Sequence, residues 1–97
     1  MERKKEYKKT NRTDKDKKNL TLRLSKIEGQ VRGIKRMIAE DKSCEELLIQ
    51  LRSIEKAMKS ISNEVIKDFM MTHVVEEVQK GNIEILKQVD EYYKTLQ

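Results

Sequence analysis

The chain has 97 residues, 40% charged and 36% hydrophobic, with no proline, three glycines, one cysteine and a formal net charge of +5. That allows one domain at most, with a core so small that association is the natural way to bury more apolar surface. A lone cysteine excludes an intrachain disulfide and a Cys-only zinc site, and the short apolar runs exclude a membrane span and a secretory signal, so a cytoplasmic setting and a persistent thiol are expected.

In chain order, residues 1–15 read as a basic, disordered arm and residues 16–97 as a helical domain. Residues 1–18 hold nine Lys/Arg (Arg3, Lys4, Lys5, Lys8, Lys9, Arg12, Lys15, Lys17, Lys18) against four acids, which leaves thirteen of each sign in the remainder. All the net charge therefore lies at the N-terminal end. Such an arm suits nucleic acid, because each neutralised phosphate releases counterions; a solvated tail fits the same composition.

Leu20, Leu24, Ile27, Val31, Ile34 and Ile38 recur at alternating steps of four and three, with Leu22 and Met37 beside them, and predict a first helix beginning near Asp16. Gly29 and Gly33 sit inside it, one turn apart, at a cost of up to ~1 kcal/mol each relative to alanine. Close helix packing is the reading that accounts for them. Asp41-Lys42-Ser43 breaks the pattern, and Ser43-Cys44-Glu45-Glu46 has the form of a capping box with Ser43 as N-cap. Helix two follows through Leu47, Leu51, Ile54, Met58, Ile61 and Val65 in the same rhythm. Unbroken to Lys80 it would run ~54 Å, longer than a globule of this size is wide. Gly81 supplies the stop and Asn82 the next N-cap, and Ile83, Leu86, Val89, Tyr93 and Leu96 mark a short third helix. The fold class is all-α, with one very long central helix.

Cys44 and His73 are the residues with chemistry. Set 29 residues apart on that helix, they share nearly one face but lie ~43 Å apart, so one chain cannot join them. Two helices packed antiparallel about a dyad near Met58 and Lys59 would bring Cys44 of one beside His73 of the other, twice per dimer. A cysteine in the first helical turn meets the positive end of the dipole and unpaired N–H groups, which favour the thiolate, whereas Glu45 and Glu46 work against it. The pair suits a metal or a thiolate–imidazolium couple; a small buried hydrophobe and a polar seam residue are the other readings. Met70 and Met71 are soft thioethers at helical spacing, which also serves a core.

The segment Arg23 to Leu51, RLSKIEGQVRGIKRMIAEDKSCEELLIQL, resembles the signature of the small all-helical bacterial repressors that sense copper, nickel, formaldehyde or persulfides. The resemblance rests on Arg23-Leu24, Ile27, Gly29-Gln30, Gly33, Met37 and Cys44, and the three-helix layout extends it over roughly residues 15 to 96. It implies an antiparallel dimer assembling into a disc-like homotetramer that binds operator DNA and releases it when an effector occupies its sensor site. DNA contacts would come from Arg23, Lys26, Arg32, Arg36, Lys15 and Lys18; Asn63 stands where some members carry a second arginine. Cys44 matches the shared sensor cysteine, and His73 a position that is cysteine or histidine among members. Phe69 stands where the metal sensors keep a histidine, so the usual three ligands are reduced to two.

What the resemblance implies about the effector narrows further. Nickel or cobalt sensing calls for more histidines, formaldehyde sensing for an N-terminal proline, and dithiol persulfide sensing for a second cysteine, none of which is present. Cu(I) accepts few, soft ligands, so Cys44, His73 and Met70 remain a site for it. Without a metal, the same cysteine would be a single-thiol sensor of sulfur or electrophilic species. A helical adaptor that uses its apolar seam to bind a protein is the reading from a different class. No phosphate loop, carboxylate pair or triad supports an enzyme.

Overall fold

The structure, a computed structural model, describes residues 9–95. Arg3, Lys4, Lys5 and Lys8 of the basic arm, and Leu96 of the third predicted helix, lie outside the described residues. Among those described there is no strand, and the fold is all-α as the pattern predicts.

Helix α1 spans Asp14–Ala39. It starts ahead of the expected Asp16 because Thr13 is the N-cap, its Oγ1 accepting from the Asp16 N–H at 3.1 Å, with Asp14 and Asp16 in the turn where the dipole favours acids. Lys15 is therefore helical. At the other end Asp41 adopts φ 54°, its N–H donating to Ile38 O while that of Lys42 donates to Met37 O. This is a Schellman stop, with aspartate in the left-handed position glycine would fill at less strain.

Helix α2 spans Cys44–Phe69, and the expected unbroken helix to Lys80 departs from α geometry at its far end. A π-helical turn covers Met70–Val74, with the Val75 N–H reaching back to Met70 O, before α3 resumes over Val75–Gln79. Gly81, at φ 89°, ends α3 with the Asn82 N–H on Glu77 O, the stop that the sequence predicts. Asn82 is not the next N-cap. Its side-chain amide donates back to Glu77 Oε2 at 3.0 Å, and α4 starts later, over Ile85–Thr95, after turns in which Leu86 N–H donates to Ile83 O and Lys87 N–H to Glu84 O.

The chain divides into two compact units, one of residues 12–63 and one built on residues 64 onward. A helix as long as α2 outruns a single small core and contributes to both. In the first unit α1 runs antiparallel to the early turns of α2: Arg23 Nη2 donates to Ser60 Oγ at 2.7 Å and Gln30 Nε2 to Ser53 Oγ at 3.4 Å. Seven residues forward on one helix match seven back on the other. The buried side chains there are Ile27, Ile34 and Ile61; in the second unit they are Val74 and Ile85, with α4 packed against the π turn.

Much of the predicted apolar seam, Leu51, Met58 and Val65 among it, stays at the surface of a single chain, together with Leu48 (63% exposed), Ile49 (67%) and Met71 (68%). Surfaces of this kind mark association. The glycines depart from the packing expectation: a Cβ on Gly33 would meet nothing within 4 Å, and one on Gly29 only Arg32 Nη2 at 3.8 Å. No contact inside the chain requires either. No described helix is long and apolar enough to cross a membrane.

Candidate functional site

Cys44 is exposed, a free thiol at the first position of α2, inside the predicted capping box and directly after its N-cap Ser43. Ser43 Oγ accepts from the Glu46 N–H at 3.2 Å, while the Ser43 N–H and hydroxyl donate to Glu46 Oε2 at 3.1 and 3.0 Å. The Ser43 hydroxyl, then its N–H, hold the Glu46 carboxyl below the usual carboxylate range. The reciprocal bonds fix the turn that carries the thiol.

His73 lies in the π turn, half-buried. Its ring stacks on Phe69 at 5.4 Å and 26°, and Tyr92 of α4 meets the same Phe69 edge-on at 5.8 Å and 61°. Nδ1 of His73 is buried and has no hydrogen-bond partner among the described residues. That is an uncommon state for a buried imidazole nitrogen, and it leaves one acceptor or ligand position unused. Single π turns loosen the i to i−4 ladder and often coincide with functional positions. Thr72 Oγ1 donating to Asp68 O at 2.7 Å belongs to that local departure. Met70 is 37% exposed at the start of the turn. Phe69, where the resemblance implies a third ligand, offers a ring face and no lone pair.

Cys44 belongs to the unit of residues 12–63 and His73 to the other. Among the described residues no three of His, Cys, Asp and Glu gather as a metal would require.

The six basic residues singled out from the sequence all fall on α1, but not on one face of it. Around the helix, Lys26 and Lys15 lie about 60° and 80° from Arg23, on its outward side. Lys18 and Arg36 lie about 140° away on that side, and Arg32 about 180°, opposite Arg23. Lys15, Lys18, Lys26, Arg32 and Arg36 are exposed, and Arg23 is half-buried against α2 through its bond to Ser60. Asn63 is exposed at the end of this unit.

Sequence reasoning missed two things. One is the seam itself, whose signal was the matched seven-residue spacing of Arg23 and Gln30 with Ser53 and Ser60. The other is Tyr92, because the periodicity of the last helix picks out its neighbour Tyr93 instead.

Residues 16–97 match the family model described as a metal-sensitive transcriptional repressor. The copper-sensing transcriptional repressor CsoR of Bacillus subtilis is 35% identical over 83 residues, covering 84% of this chain and 82% of that protein. The transcriptional repressor RcnR of Salmonella typhimurium is 37% identical over 87 residues, 84% of this chain and 97% of that protein. The structure of the copper-sensing repressor CsoR with Cu(I) from Geobacillus thermodenitrificans superposes with a TM-score of 0.79 at 26% identity, over 90% of this chain and 92% of that one.

Proposed function

The chain belongs to the family of metal-sensitive transcriptional repressors, and from that premise we propose that it is an operator-binding homotetramer, acting in the cytoplasm, whose hold on DNA is relieved by Cu(I) at Cys44 of one chain and His73 of a second. The family is one of transcriptional regulators, not enzymes.

The observation that carries the choice of ion is the unused donor at His73, a buried Nδ1 with no partner beneath the Phe69 ring. Together with an exposed thiol at a helix start, it makes a donor pair of one soft sulfur and one imidazole nitrogen. This set fits a soft ion of low coordination number and does not fit nickel or cobalt, because His73 is the sole histidine and Phe69 coordinates nothing. When bound, the ion would supply a bond tying the two side chains together. Ser43 and Glu46 hold the thiol-bearing turn, and Phe69 and Tyr92 hold the imidazole. The apolar residues exposed on α2 and beyond it support an antiparallel dimer as the assembly that brings Cys44 and His73 to one place.

The test is Cu(I) affinity measured by competition with a chromophoric chelator. We expect one ion per chain in the wild type, loss of tight binding in Cys44→Ala and in His73→Ala, and tighter binding in Phe69→His. Unaltered affinity in both alanine variants overturns the site. If alkylation of Cys44 releases DNA while Cu(I) does not, the thiol is the sensor without a metal.

A further inference from the structure

We propose that Tyr92, on α4, is a positioning residue for the sensor imidazole: through the Phe69 ring it fixes the His73 side chain in the orientation that keeps Nδ1 poised for a ligand. The proposal rests on the Cys44/His73 reading above and adds to it a residue that ligates nothing and acts through another.

Phe69, His73 and Tyr92 all belong to the unit of residues 64 onward. Phe69 ends α2 and His73 stands four residues on, in the π turn, a spacing that lays two side chains on one face of a helix. Such a pair alone leaves both rings free to change rotamer together. The second support comes from another element. The Tyr92 ring meets Phe69 at 5.8 Å and 61°, an edge-to-face arrangement that ring quadrupoles favour, while Phe69 stacks on His73 at 5.4 Å and 26°.

The small core beside these rings fixes where Tyr92 stands. α4 packs against the π turn, and Ile85 at its start and Val74 in the turn are both buried. Tyr92 follows Ile85 by seven residues, two turns, so the two lie within about 20° of each other around α4, with half-buried Val89 between them. Tyr93 lies about 100° farther around, is exposed, and makes no ring contact among the described residues.

The partnerless Nδ1 is what makes this support necessary. A buried imidazole nitrogen without a hydrogen bond costs free energy that rotation of the ring into water would recover. Opposing that rotation is the face of Phe69, and opposing the movement of Phe69 is the ring carried by α4. A donor held in its bound orientation before the ligand arrives loses less entropy on binding. The contact is one of rings, so phenylalanine at 92 would keep it, whereas leucine, apolar but without a ring, would not.

His73 is the sole histidine, so the imidazole proton resonances of the full-length, metal-free protein report on it alone. The rings beside it displace those resonances from their positions in the unfolded chain. The experiment records them at one alkaline pH for the wild type, Tyr92→Leu, Tyr92→Phe and Tyr93→Leu, each checked for wild-type circular dichroism and oligomeric state. Cu(I) affinity of the same proteins is then measured by chelator competition. Tyr92→Leu should move the resonances toward their unfolded positions and weaken Cu(I) binding by roughly two- to tenfold, the worth of one aromatic pair. Tyr92→Phe and Tyr93→Leu should match the wild type in both readings. Phe69→Leu, which removes the link itself, should weaken Cu(I) binding by at least as much as Tyr92→Leu, and it carries the test if Tyr92→Leu loses its fold. Wild-type resonances in a folded Tyr92→Leu overturn the positioning role, and so does wild-type Cu(I) affinity in Tyr92→Leu or Phe69→Leu. No tight Cu(I) binding by the wild type overturns the Cys44/His73 reading, and this proposal with it.

Discussion

Alanine at Gly33 and alanine at Gly81 should change stability in opposite directions. Gly33 is inside α1, and a Cβ there would meet nothing within 4 Å. The substitution therefore gains the difference in helix propensity, about 1 kcal/mol, with no steric term against it. For a domain of this size that raises the thermal midpoint by roughly 4–8 °C. Gly81 has as much open space but stands at φ 89°, in the left-handed region, where a Cβ costs ~1–2 kcal/mol whatever the room around it. Its midpoint should fall by a similar amount. Both are measured by thermal denaturation at one fixed protomer concentration, because association contributes to the apparent stability of an oligomer. A lower midpoint for Gly33→Ala would refute the reasoning from open space and would mean that another surface approaches this glycine in the assembled protein.

Light scattering at micromolar concentration should show an oligomer of even number, and a stable folded monomer would leave Leu48, Ile49 and Met71 without a partner. Because the Glu46 carboxyl is held low by Ser43, it contributes stability above the unfolded carboxylate pKa, about 4.3, that is lost as pH falls through its lower folded value. Ser43→Ala should destabilise the protein at neutral pH, and denaturation midpoints should show its deficit shrinking below about pH 4. Asp41→Gly should raise stability by roughly 0.5–1 kcal/mol in chemical denaturation, since the residue stands at φ 54°.

The parts of this molecule that local chemistry decides were legible in the sequence. The four-three rhythm of Leu20 to Ile38 marks α1, the Ser43 to Glu46 spacing marks the start of α2, and Gly81 marks the end of α3. What was not legible depends on competition between neighbours. Asn82 has an acceptor on Glu77 that the capping pattern ignores, and Thr13 offers an N-cap ahead of any apolar residue that would signal it. The π turn at Met70–Val74 keeps the same residues helical, so periodicity carries no trace of it. Of the candidate site, the sequence singled out Cys44, His73 and the silent Phe69. The stack of His73 on Phe69 is an i, i+4 pair that helical spacing allows, but the edge contact of Tyr92 comes from α4 meeting Phe69 in space, which spacing along one helix does not encode, and the orphaned Nδ1 shows only in the structure.

The central claim is that DNA binding answers to an ion held by Cys44 and His73. Fluorescence anisotropy of a labelled operator duplex, followed as Cu(I) is added under anaerobic conditions, tests it directly. The account predicts release by about one Cu(I) per chain in the wild type, and a Cys44→Ala protein that binds the same duplex equally well and does not let go. An operator complex that survives excess Cu(I), or a Cys44→Ala complex that dissociates like the wild type, would contradict it.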